Sequence, residues 1–125
     1  MDENELSNRV IGAAIEVHKA LGPGLLESAY QQCLVRELVL NSIGVETEVP
    51  ICIEYKGTIV NDIYRMDLLV GGKLVVELKS VDTLLGIHKS QLLTYLRCAD
   101  KKLGLLINFN ALSLKQGIQR VVNNL

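Results

Sequence analysis

The sequence predicts an α/β domain with the element order ααβββαβα. Three observations carry that expectation. Apolar residues recur at helical spacing up to Ser42, the composition turns rich in Val, Ile and Tyr from Val45 to Ser80, and a helix–strand–helix pattern follows.

From Ser7 onward, Val10, Ala14, Val17 and Leu21 define one helical face, with Ser7 placed as the N-cap. Gly22-Pro23-Gly24 ends this helix and permits a sharp turn. The stretch LLESAYQQCLVRELVLNSIG repeats the pattern, giving a second helix from Leu25 to Ser42 that stops before Gly44. VETEVPICIEYKGTIVNDIYRMDLLVGGKLVVELKS, punctuated by Lys56-Gly57 and Gly71-Gly72, reads as three antiparallel strands joined by two hairpins. HKSQLLTYLRCA is then helical, KLGLLINF a buried strand, and LKQGIQRVVNNL a final amphipathic helix.

A chain of 125 residues fits one domain, here 1–125, and can close a hydrophobic core without disulfides or structural metal. Cys33, Cys52 and Cys98 are an odd count without C-x-x-C pairing or a nearby zinc-ligand His, so they are expected to be reduced and buried or half-buried. The acidic start MDENEL has no signal-peptide pattern and no apolar run suffices for a membrane helix, so a cytoplasmic location is expected, with no membrane partner. A net charge of -1 and few aromatics argue against a global basic footprint or a broad base-stacking platform, leaving local or metal-assisted nucleic-acid contact.

The segment DLLVGGKLVVELKS sets Asp67, Glu77 and Lys79 into chain otherwise built for burial. A two-residue Gly71-Gly72 loop would put Asp67 on the face opposite Glu77 and Lys79. A three-residue loop, Gly71-Gly72-Lys73, pairs Asp67 with Glu77 and Arg65 with Lys79. It also leaves Leu68, Val70, Leu74, Val76 and Leu78 as one apolar face, which favours this register.

Facing carboxylates repel, and a divalent cation relieves the repulsion. Mg²⁺ takes oxygen ligands, usually one or two carboxylates completed by waters and substrate phosphate. Asp67, Glu77, the Leu78 carbonyl and Lys79 are suitable parts for metal-assisted phosphodiester hydrolysis, with the lysine stabilising charge at phosphorus. A structural Asp–Lys or Glu–Lys pair is the other reading.

Asp followed by a hairpin and E-x-K resembles the core of the PD-(D/E)xK nuclease superfamily, and G24-L-L-E27-S-A-Y30 resembles the signature of its GxxExxY family. The similarity runs in order through LGPGLLESAY, YRMDLLV, VVELKS, HKSQLLTYL and LGLLINFN. Met66 stands where the superfamily's named pattern has Pro. The resemblance implies a central mixed sheet flanked by helices, with Glu27 as the helix-borne acid, Asp67 and Glu77 as metal ligands and Lys79 as the catalytic lysine. Gln91 and Tyr95 match the family's Q-x-x-x-Y helix, and His88 shares their helix face.

Other readings stand beside these roles. Glu27 can serve the helix dipole, Tyr30 the core, His18 a half-buried structural place, and Arg65 a solvated sheet position. In the functional reading His18, Tyr30, Arg65 and His88 contact substrate. The expectation is therefore a nuclease acting on DNA or RNA with Mg²⁺, or Mn²⁺ in its place. The alternative is a non-catalytic nucleic-acid- or protein-interaction module on the same fold, as a homodimer or with a protein partner. A metal-dependent enzyme acting on a small phosphorylated substrate is a third reading.

Overall fold

In the computed structural model, which describes residues 1–125, helix α1 spans Glu3–Leu21 and starts before the expected cap. Asp2 is the N-cap, its side chain accepting the Glu5 N–H at 2.8 Å, while Ser7 lies buried inside the helix. Glu3 and Glu5 in the first turn favour this earlier start, because acidic side chains suit a helix N-terminus. It also adds Leu6 to the buried stripe formed by Val10, Ala13, Ala14 and Val17. Helix α2 spans Glu27–Leu40, so Leu25 and Leu26 belong to the turn preceding it.

The strands are β1 (Val45–Tyr55), β2 (Thr58–Val70), β3 (Leu74–Lys79), β4 (Leu103–Asn108) and β5 (Ile118–Val122), in the sheet order β1-β2-β3-β4-β5. The first three form the expected antiparallel meander. Helix α3 (Gly86–Ala99) then carries the chain across, so that β4 pairs parallel to β3. The result is a mixed sheet with α1 and α2 packed on one face and α3 on the other.

The β2–β3 turn uses Gly71, Gly72 and Lys73, with both glycines in the left-handed region at φ 59° and 70°. The observed pairs Leu68↔Val76, Leu69↔Val75 and Val70↔Leu74 fit the expected odd register. Leu68, Val70, Leu74, Val76 and Leu78 all enter the core beneath α1 and α2. Leu69 and Val75 face α3, in a second core with Leu92, Tyr95 and Leu96.

Two expectations are corrected. The last segment is a short 3₁₀ turn, Leu114–Gly117, followed by strand β5, and not a helix. Leu114, Ile118, Val121 and Leu125 imitate helical spacing, but β4 presents a buried edge whose backbone groups need partners, and the β-branched Ile118, Val121 and Val122 suit that edge. The three cysteines are free and exposed, because each falls on the outward side of its element and away from the two cores. No helix is long and apolar enough to cross a membrane.

Gly117 makes the approach to β5 possible: a Cβ there would lie 2.5 Å from the Asn108 carbonyl oxygen and 3.0 Å from the Ala111 Cβ. Gly117→Ala is expected to destabilise the protein by about 1 to 3 kcal/mol through overpacking against backbone that cannot yield. Urea denaturation of the two proteins checks this, and an unchanged midpoint contradicts the close approach.

Candidate functional site

The ladder between β2 and β3 stops at Leu68↔Val76, although both strands continue. Beyond it the main-chain N–H groups of Asp67 and Leu78 lose their strand partners and are satisfied by side chains. Glu77 Oε2 accepts the Asp67 N–H at 2.8 Å, and Asp67 Oδ2 accepts the Leu78 N–H at 2.8 Å. Each carboxylate therefore braces the opposite strand at the point where the strands part. Arg65 lies past this point, exposed and paired with Pro50 of β1, so the expected pairing with Lys79 does not form.

Burial is the main cause of an unusual titration. Glu77 is 5% exposed, and desolvation followed by the Asp67 charge pushes its carboxyl up to about 8. Desolvation also raises Asp67, opposed by the Leu78 N–H bond and by its hydrogen bond with Glu77, while the charge of Glu48 adds to the rise. Lys79 favours the ionised form of both carboxyls. Glu48 stands on β1 in the left-handed region at φ 51°, and its Oε1 accepts from the Gln31 side chain at 3.2 Å.

Asp67 Oδ1 and Glu77 Oε1 make no main-chain hydrogen bond, and they are carried by a half-buried and a buried side chain. No three His, Cys, Asp or Glu side chains converge in ligating geometry. A cation here would take two carboxylates and complete its shell with carbonyl, water or phosphate oxygens. That donor set suits Mg²⁺ or Mn²⁺ and fits the residues present.

Around the pair, Tyr95 projects from α3, buried and in tilted contact with Tyr64, with ring centroids 6.1 Å apart. Its hydroxyl is pushed up to about 12 by burial first and by the nearby Glu77 charge second. Gln91 lies half-buried one turn earlier on the same helix. His88 closes the start of α3, its Nδ1 accepting the Leu85 N–H at 3.0 Å. Glu27 approaches from the other helical layer and reaches the end of β3, where Oε1 accepts the Ser80 N–H at 3.2 Å.

His18 and Tyr30 are drawn into the fold on the same side. Tyr30 is fully buried; its hydroxyl donates to the Gly22 carbonyl at 2.5 Å and accepts the Leu25 N–H at 3.1 Å, closing the turn between α1 and α2. Its ring stacks on Phe109, with centroids 4.4 Å apart. His18 Nε2 lies 2.8 Å from the Ala111 carbonyl oxygen, which makes that nitrogen the donor.

Sequence reading missed Glu48, Ser80 and Asn108. Nothing in the local pattern around Glu48 marks it. Asn108 carries a signal, a polar residue closing the aliphatic run LGLLI.

At pH values above the ordinary Glu value of 4.5 the folded protein binds more protons at this pair than the unfolded chain does. Stability of the metal-free protein is therefore expected to fall as pH rises from 4.5 toward about 8, by at most about 1.4 kcal/mol per pH unit. Glu77→Gln should flatten that slope, and urea melts at pH 5 to 8 with EDTA, run at ~0.15 M salt, measure both. A slope identical in the two proteins contradicts the assignment.

The family model described as PD-(D/E)XK nuclease superfamily matches residues 4–121. No curated protein matches this chain. Among solved structures, one titled "Crystal structure of SSO0001" superposes with a TM-score of 0.54 at 21% identity over 98% of this chain, a likeness of fold. This chain spans 62% of the length of that one.

Proposed function

Because the chain belongs to the PD-(D/E)XK nuclease superfamily, we propose that it hydrolyses phosphodiester bonds in DNA or RNA with a divalent cation, Mg²⁺ or Mn²⁺, held by Asp67 and Glu77. One observation carries this reading: the two carboxylates at the parting of β2 and β3 are each tied to the opposite backbone, with Lys79 beside them on the strand. The GxxExxY stretch Gly24–Tyr30 supports assignment to that branch of the superfamily.

The bound cation supplies charge neutralisation at the scissile phosphate and a more acidic water. Asp67 and Glu77 hold their oxygens in place because each is tethered to the opposite strand, and the Leu78 carbonyl is the third proposed ligand. Lys79, half-buried and two residues beyond Glu77, stabilises the negative charge that builds at phosphorus. Glu27 steadies the backbone next to Lys79 through Ser80. Tyr95 and Gln91 line the α3 side, where burial, with the acidic pair adding to it, keeps the tyrosine protonated. His88 and Arg65 are candidate backbone contacts. His18 and Tyr30 act through the loop and turn they hold.

A non-catalytic interaction module on this fold is the second reading, and the net charge of -1 favours it, because nucleic-acid affinity rests largely on neutralising phosphates. On that reading a homodimer or a protein partner supplies the missing contacts.

Incubation with labelled single- and double-stranded DNA and RNA in Mg²⁺, Mn²⁺ or EDTA separates the two. The nuclease reading expects metal-dependent cleavage that Glu77→Gln abolishes and that Lys79→Met lowers by ~10² to 10³ with the fold intact. Absence of cleavage on all four substrates, or full activity in Lys79→Met, contradicts it.

A further inference from the structure

The Lys79 ammonium has no ion-pair partner, the one ion pair of the molecule being Lys19 with Glu16. No ion pair fixes the side chain, so the backbone that carries it is what sets where the side chain starts. Parallel pairing of β3 with β4 ends at Lys79↔Asn108, where the Phe109 N–H still donates to the Lys79 carbonyl at 2.9 Å. One residue further the two backbones no longer pair, and the Asn108 side chain takes over.

The Asn108 carboxamide is 4% exposed. Its Oδ1 accepts the Val81 N–H at 3.1 Å and its Nδ2 donates to the Val81 carbonyl at 2.9 Å. The same Oδ1 accepts the Asn110 N–H at 3.2 Å, and the Asn110 side chain adds a longer bond to the Val81 carbonyl at 3.4 Å. Asn108 thus offers Val81 the reciprocal donor and acceptor that a neighbouring strand would offer. Only an amide of this length can do so: Asp lacks the donor, Leu lacks both groups, and Ser is too short to span both. From the other side Glu27 accepts the Ser80 N–H, and the Ser80 hydroxyl donates to the Leu25 carbonyl at 2.6 Å. The three residues from Lys79 to Val81 are clamped between β4 and the start of α2.

We propose that Asn108 is a positioning residue: its carboxamide, by extending the β3–β4 pairing to Val81, sets where the Lys79 ammonium lies relative to Asp67 and Glu77. The consequence for catalysis rests on the nuclease reading above. The placement itself is measurable without turnover.

The test uses the full chain with isotope-labelled lysine, Mn²⁺ as the paramagnetic probe, and the variants Asn108→Asp and Asn108→Ser, with core methyl signals confirming that each remains folded. In wild type, Mn²⁺ is expected to broaden the Lys79 ε-methylene signal, and Asp67→Asn to abolish that broadening. Both Asn108 variants should weaken it several-fold while the Mn²⁺ affinity stays within about twofold. On cleavable substrate they should lower kcat by roughly 10- to 100-fold per folded molecule with little change in KM, as expected for a displacement on the order of 1 Å. A purely structural asparagine would lower the melting temperature and leave broadening and kcat alone. Broadening equal in wild type and both variants overturns the proposal and leaves the nuclease reading standing. A wild type whose Lys79 is untouched by Mn²⁺ overturns both. Asn108-dependent broadening in a protein that cleaves nothing supports the placement and overturns the nuclease reading alone.

Discussion

Two hydrogen bonds from main-chain N–H groups to carboxylates, Asp67 N–H to Glu77 and Leu78 N–H to Asp67, tie β2 and β3 together just past their last paired residues, Leu68↔Val76. A strand pair that separates inside a protein leaves polar backbone without partners, at a cost of roughly 1 to 3 kcal/mol for each buried group. Here the acidic side chains remove that cost and become immobile in doing so. Had the β2–β3 ladder continued, the Leu78 N–H would have met a carbonyl oxygen of β2, and the Asp67 carboxylate would have kept its rotational freedom. The tethered oxygens follow from the parting of the strands at this residue pair, and the raised carboxyl titration from the burial of the pair there. The arrangement costs stability at neutral pH, since Glu77 has to keep a proton there or ionise in a desolvated place beside Asp67.

The remaining elements converge on the end of β3. Helix α3 covers the carboxylate face with Tyr95, whose hydroxyl is kept from ionising by burial first and by the nearby Glu77 charge second. Helix α2 comes from the opposite layer and touches the strand only after Lys79, through Glu27 and the Leu25 carbonyl. Strand β4 supplies Asn108 at its end, and Phe109 follows in the turn after it. Phe109 is in turn stacked on Tyr30, and the loop after it is held by His18. Glu27 and Tyr30, one turn apart on α2, thus serve one purpose from two directions. The acid steadies Ser80, and the aromatic ring steadies the loop whose Asn108 steadies Val81. The spacing of the GxxExxY stretch follows from a single helix face that has to reach both.

The sequence by itself determined the class of fold, the β2–β3 register and the side of the sheet on which the acids lie. Each depends on local information: glycines that permit a left-handed turn at Gly71 and Gly72, and a strand alternation whose apolar set Leu68, Val70, Leu74, Val76 and Leu78 tolerates one register only. Tertiary structure decided the rest. The segment after Leu114 shows helical spacing, yet it becomes a strand because β4, far away in sequence, offers an unpaired edge. That the ladder stops at Leu68↔Val76 depends on the β1 strand that keeps β2 company beyond that point, as at Pro50↔Arg65. Glu48 nears Asp67 only through that pairing, and Asn108 meets Val81 only because a crossover helix lays β4 parallel to β3. These contacts join residues with no shared local pattern. Their energies come from satisfying buried polar groups across elements, and that requirement exists only once the elements have packed.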